Sequence, residues 1–460
     1  MTVQCEFQAV VLAAGKGSRM LEFTAGKPKC LLPVGSKPLI WYILNSLQKS
    51  GFTEAIMIVL EDQKTEIQSA IENEIGNNTL NIKIEYVSFD DKEDLGTADS
   101  LRLKEVQEKI KSDVLVVSCD LITDVNFVDV LNTFRKHNAS MTSLLFPSSN
   151  IEPVVVPGPR SKHKPEKDLI GIDERTSRLV FSASASDFEE EVSLPMSLLK
   201  KHQHIKLYST LCDSHVYVLK NWVMQYLKSE DNFMSLKGEL IPYIVKKQLS
   251  KPIKPADTNV STVNDKDVCD IFSFAKEDQL SLDIREASAY NDHKGDLKPT
   301  YNEDPIRCYA YLAPKGCIGI RINTLPAYWS TNGKIQDIWD KVSGDQKLIK
   351  HSVNADIKSN QVDDKCVIWD GAKLSEKTSF KNTLIGMNAS VNSFSRVFNS
   401  IIMNNVVIKE KVAIENSIIS DNAVIESGSK IKNCIIGNHY LISQDSEHAN
   451  EILTKALMHF

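Results

Sequence analysis

FQAVVLAAGKGSRMLEFTAGKPKCLLPVGSKPL, residues 7 to 39, holds the turn around which the first half of the chain is organised. Its apolar run Ala9 to Ala14 reads as a buried parallel strand, which breaks into Gly15-Lys16-Gly17-Ser18-Arg19 ahead of Pro28-Lys29. Glycines at 15 and 17 let backbone N–H groups converge on an anion with no Cβ in the way, while Arg19 and Lys29 add positive charge to the same spot. A phosphate cradle is one reading. A plain strand-exit turn is the other, and the rest of the chain has to choose between them.

Outward from this stretch the pattern alternates. Helices are expected at Leu39 to Ser50, Glu66 to Glu74, Asp99 to Ile110 and Val125 to His137. Strands are expected at Ala55 to Leu60, Ile82 to Val87, Asp113 to Ser118 and Ser140 to Leu145. Alternation of this kind predicts a parallel sheet with helices on both faces, whose ligands sit beyond the carboxyl ends of the strands. The glycine turn, Gly96-Thr97-Ala98 and Asp120 all fall at such ends. A carboxylate facing a phosphate cradle commonly holds Mg²⁺, whereas Asp120 taken alone is as readily a turn or cap residue.

The phrases L-A-A-G-K-G-S-R-M at 12 to 20, P-K-C-L-L-P-V at 28 to 34, K-P-L at 37 to 39, L-G-T-A at 95 to 98 and C-D at 119 to 120 resemble the sugar-phosphate nucleotidyltransferases. That resemblance implies a Rossmann-like, GT-A-like α/β domain. By the same carry-over Gly15, Gly17, Ser18, Arg19 and Lys29 would meet phosphates, Gly96, Thr97 and Ala98 the base and ribose, and Asp120 the metal. The sugar half departs from the pattern. Where N-A-G-x-Y is expected the chain has Asp213-Ser214-His215-Val216-Tyr217, and the region of an E-K-P segment is the acidic Phe181 to Leu194. The pocket is therefore expected to be degenerate, with no catalytic residue and no required cofactor. A vestigial nucleotide or Mg²⁺ site is what remains. The alternative is an active enzyme resembling mannose-1-phosphate guanylyltransferases.

The C-terminal part carries a repeat without slippage. Cys366-Val-Ile, Thr383-Leu-Ile, Ser400-Ile-Ile, Ser417-Ile-Ile and Cys434-Ile-Ile recur every 17 residues, with apolar positions at spacings of six, six and five within each unit. A three-sided coil with one inward residue per side needs this spacing, which predicts a left-handed parallel β-helix of hexapeptide type. Asn382, Asn399, Asn416 and Asn433 recur at one corner, where tolerance of positive φ suits asparagine. Val367, Leu384, Ile401, Ile418 and Ile435 immediately precede the inward residues and so point outward. Such a stripe should be buried, either as a partner interface or under the chain's own Ile271 to Leu282 region.

The domains are expected as a nucleotidyltransferase-like unit over 1–345 with an insertion or linker at 250–300, a β-helix over 353–445, and a capping tail over 446–460. Pro153 to Lys167, rich in proline and basic residues, reads as a surface loop. Leu236 to Leu249 reads as an amphipathic helix in which Pro242 marks a kink or the true start.

Composition sets the outer bounds. A 460-residue chain of net charge −6 carries no global nucleic-acid footprint, so no DNA partner is expected, and no apolar run is long enough to span a bilayer. Nine cysteines with no C-x-x-C spacing fit a reducing cytosol. V-L-V-V-S-C-D-L-I-T-D-V at 114 to 125 and G-E-L-I-P-Y-I-V-K-K-Q at 238 to 248, with the opening motif and L-G-T-A-D-S-L-R, resemble the gamma subunits of the eukaryotic translation initiation factor 2B exchange complex. The resemblance implies a cytosolic, non-catalytic subunit that pairs with and stimulates an epsilon subunit, within an assembly exchanging GDP for GTP on the initiator-tRNA-carrying GTPase. The chain as read stops at Phe460 after its fifth coil and a short cap, so the exchange-catalysing helical domain is expected on epsilon.

Overall fold

The computed structural model describes residues 6–24, 26–76, 79–90, 95–147, 155–159, 168–184, 192–202, 204–250, 270–290, 304–344 and 346–454. Most of the Pro153 to Lys167 loop, much of the acidic 181–194 segment and most of the 250–300 linker lie outside them.

A ten-stranded sheet forms the first domain. Named by their first residues, its strands run Ile205, Leu169, Arg178, Cys308, Met141, Leu211, Asp113, Phe7, Glu54, Lys83. The four strands beginning at Asp113, Phe7, Glu54 and Lys83 are parallel, as the alternation predicts. Beyond them the sheet becomes mixed: Leu211–Leu219 inserts antiparallel between Asp113–Ser118 and Met141–Pro147, so the two sequence neighbours do not touch. Burial on both faces gives this inserted strand a run, Val216 to Leu219, that is as apolar as the parallel ones.

Local chemistry shifts three expected elements. The helix expected over 99–110 is two short ones, Thr97–Arg102 and Lys104–Lys109, because Leu103 adopts an extended ψ of 133° between them. Leu236–Leu240 makes a π-turn, and the α-helix Ile241–Lys247 begins after it with Pro242 in its first turn, where no amide donor is missed. The helix Leu325–Ser343, capped by the Thr324 hydroxyl, leaves the domain and ends at Gly344, whose φ of 72° favours glycine.

From Asp356 to Leu453 the chain winds into a left-handed β-helix of three parallel sheets with six strands each. Residues 446–453 belong to the coil rather than to a cap: Glu447–Ala449 and Ile452–Leu453 continue two of the sheets. His448 standing where Ile431 stands one coil earlier hid this sixth turn from the apolar pattern. Asn382, Asn399, Asn416 and Asn433 all have φ between 45° and 53°, and the amides of the first three link in a ladder, Asn382 Nδ2 to Asn399 Oδ1 at 2.7 Å and Asn399 Nδ2 to Asn416 Oδ1 at 2.6 Å.

The outward column is buried, and the chain itself covers it. Val367, Leu384, Ile401, Ile418 and Ile435 are each at most 6% exposed. The last four belong to the same core as Tyr328, Trp329, Ile335 and Trp339 of the Leu325–Ser343 helix and as Leu39 to Leu44 under the sheet. They are therefore unavailable as the partner interface expected of them. Nor does Ile271 to Leu282 supply the cover, since Ile271, Phe272 and Ala275 pack into the core on the opposite face of the sheet. Docking is reinforced by polar pins. Trp369 Nε1 donates to Gly35 O at 2.8 Å, Gly158 N to Asn433 O at 2.7 Å, and Lys27 Nζ pairs with Asp421 Oδ2 at 2.7 Å.

Among the described residues no helix is long and apolar enough to cross a membrane, and Cys30, Cys119, Cys308, Cys317, Cys366 and Cys434 are free thiols.

Candidate functional site

The strand Phe7–Leu12 ends beside Asp113–Ser118, with Leu12 opposite Ser118, so the glycine turn and Asp120 emerge at the same sheet edge. Gly15 is exposed, and a Cβ there would meet nothing within 4 Å. Gly17 has φ +69° and opens a short 3₁₀ turn, Ser18–Met20, that leaves Ser18 and Arg19 exposed. Glycine is needed at 17 for its left-handed backbone, while at 15 the geometry leaves backbone open to solvent.

Lys29 and Asp120 meet directly. Lys29 Nζ lies 2.6 Å from Asp120 Oδ2, and Asp120 is 2% exposed. Ser118 Oγ donates to Asp120 Oδ1 at 2.7 Å. A third group arrives from far along the chain: Gly319–Arg321 pairs antiparallel with Leu121–Thr123, and Ile322 N donates to Asp120 O. This two-strand ladder holds the Arg321 guanidinium side-on against the carboxylate, Nε 3.4 Å from Oδ1 and Nη2 3.3 Å from Oδ2. Burial alone would raise the Asp120 carboxyl, but Arg321 and then Lys29 outweigh it and hold the group well below the usual carboxylate range. The neighbouring Cys119 thiol is pushed up to about 12, by burial first and Asp120 second, which leaves it unreactive.

The segment from Asp213 to Tyr217 has a conformation of its own. Strand Leu211–Leu219 bulges between Asp213 and Tyr217, and His215 takes a φ of 54° in the bulge. Asp213 fixes that shape: its Oδ1 accepts from His215 N at 2.8 Å and its Oδ2 from Tyr217 OH at 2.7 Å. Burial, and after it the positive Arg321, holds the His215 imidazole well below the usual histidine range. It is a neutral ring among cations at neutral pH.

Gly96, Thr97 and Ala98 turn inward. Ala98 N donates to Met234 O at 2.8 Å, Leu236 N donates to Thr97 Oγ1 at 2.9 Å, and a Cβ on Gly96 would lie 2.1 Å from Met234 O. Close approach of the 233–236 segment accounts for the glycine, and the Ala98 amide is already spent.

Arg321 escaped the sequence reading because no periodicity or spacing ties it to Asp120. The C-D pair at 119 to 120 was the half of the contact that a motif could reveal.

A second concave feature lies between the domains. A cavity of about 420 Å³ has Trp329, Ile335, Val367, Leu384 and Ile401 among its walls and the Asn382, Asn399 and Asn416 ladder at its margin.

The chain matches the Nucleotidyl transferase family over residues 8–154 and the GMPPB C-terminal domain over 362–453. It is 30% identical over 381 residues to translation initiation factor eIF2B subunit gamma of Schizosaccharomyces pombe, covering 82% of this chain and 74% of that protein. The gamma subunit of Caenorhabditis elegans is 34% identical over 247 residues, 53% of this chain and 59% of that one. The epsilon subunit of S. pombe is 25% identical over 239 residues, 51% of this chain and 34% of the relative.

Proposed function

Because the chain belongs to the translation initiation factor eIF2B subunit gamma family, we propose that it is a non-catalytic, regulatory subunit of that exchange complex. In this reading it works in the cytosol, pairs with an epsilon subunit, and supports exchange of GDP for GTP on the initiator-tRNA-carrying GTPase. It requires no cofactor of its own. One observation carries the non-catalytic part: both oxygens of Asp120, the carboxylate at the reacting end of the sheet, are already engaged by Lys29, Arg321 and Ser118. His215 in its bulge supports the same reading, because an imidazole stands where the enzymes' motif has a glycine.

The experiment is a pull-down of the full chain from cytosol, with mass measurement of the intact assembly and, on the same material, assays of GDP release and of pyrophosphate release from nucleoside triphosphate and hexose 1-phosphate. Co-purification with an epsilon-type chain and faster GDP release than epsilon alone are expected. Turnover of the sugar phosphate by the single chain would refute the proposal and restore the guanylyltransferase alternative.

A further inference from the structure

The Mg²⁺ implied by the nucleotidyltransferase fold does not fit the residues that are here. A divalent cation of that kind takes oxygen ligands at about 2.0–2.1 Å in octahedral geometry and is usually anchored by carboxylates. Among the described residues no three His, Cys, Asp or Glu side chains converge in a way that could hold an ion. Asp120 is spoken for on both oxygens, by the cations Lys29 and Arg321 and by the Ser118 hydroxyl. A metal entering there would have to break two ion pairs and then sit beside two positive charges.

We propose that Arg321 is a built-in counter-ion that has taken the place of the divalent cation at Asp120, leaving a pocket that accepts a polyphosphate group without metal. The backbone makes the exchange permanent. Arg321 closes a strand laid against Leu121–Thr123, with its Cα opposite Leu121, and its side chain is only 20% exposed. Nε and Nη2 face the carboxylate, and Nη1 makes no hydrogen bond among the described residues, so one edge of the guanidinium remains for an incoming oxyanion. At the Asp120 carboxylate two cations meet one anion, with the buried Asp213 carboxylate as a further negative group acting on Arg321. A guanidinium suits this task because it stays charged and can donate to a carboxylate and a phosphate at once.

This inference rests on the non-catalytic reading of the same pocket, and a separate readout tells the two apart. The test uses the full chain and two probes, Mn²⁺ followed by electron paramagnetic resonance and inorganic tripolyphosphate followed by calorimetry, with and without a chelator. The unsubstituted protein should leave Mn²⁺ free and should bind tripolyphosphate equally well with and without chelator. Arg321→Ser should weaken tripolyphosphate by about tenfold or more, the scale of a lost charge-assisted hydrogen bond. Arg321→Lys, which keeps the charge, should retain most of the tripolyphosphate binding and shows whether loss of fold underlies the Ser result.

The proposal is overturned if the unsubstituted chain binds Mn²⁺ in an Asp120-dependent way, if tripolyphosphate binds only with metal, or if it does not bind at all. Pyrophosphate release in the presence of Mg²⁺, measured on the same samples, would instead overturn the non-catalytic reading.

Discussion

Removing the charge of Asp421 should loosen the joint between the two domains. Lys27 and Asp421 lie 2.7 Å apart with side chains 6% and 14% exposed. At that distance an effective dielectric of about 20 gives a gross attraction of roughly 6 kcal/mol, most of which offsets the desolvation of two charges. The pair as a whole is therefore worth little against an apolar replacement, but taking one half away strands the other. Asp421→Asn keeps an oxygen to accept from Asn404 N, now at 2.7 Å, and leaves Lys27 with the more distant Glu66 as a counter-charge. The expected loss is about 3 kcal/mol, the lower end for a broken buried pair. Lys27→Met should cost a similar amount. The double variant should cost no more than about 4 kcal/mol, a coupling of about 2–3 kcal/mol. Urea unfolding of all four proteins, with constant slopes as the control for an unchanged unfolded state, measures this. Additive losses, within about 0.5 kcal/mol, would show that the pair does not pin the domains and would refute the reasoning.

Three further outcomes are expected. Ile418→Ala, at a position with no exposed surface inside the shared core, should lower stability by about 2–5 kcal/mol in the same urea series, whereas a partner-facing residue would show its cost only in the assembly. His215 titrates well below its ordinary value of 6.5 in the fold, so the unfolded chain takes up a proton first as pH falls through about 6.5. Stability should then drop on acidification by up to about 1.4 kcal/mol per pH unit, and His215→Gln should flatten that slope in unfolding measured from neutral to mildly acidic pH. Gly96→Ala should cost about 1–3 kcal/mol, because the new Cβ would lie 2.1 Å from Met234 O; an unchanged melting temperature would show that the 233–236 segment yields freely.

Periodic features were legible and long-range ones were not. The 17-residue repeat gave the β-helix because every coil contributes the same inward positions, and the asparagine corner followed from the same register. The parallel half of the sheet was legible in its helix and strand alternation. The antiparallel insertion of Leu211–Leu219 was not, since a strand buried on both faces has no alternation to reveal its neighbours. The outward column was recognised as needing cover, but its cover comes from Leu325–Ser343, whose apolar residues serve two domains at once and carry no mark of the second role. At the site, Lys29 and Asp120 are brought together and Gly17 takes its left-handed turn. Gly96 to Ala98 instead follow the needs of internal packing, and Arg321 reaches Asp120 from 201 residues away.

The core running without a break from beneath the sheet into the outer wall of the spiral gives the two halves a common fate. Severed at Gly344, each would carry a raw oily face into water, one bearing Trp329 and Ile335 and the other the isoleucine column. The two should therefore melt together as one cooperative unit.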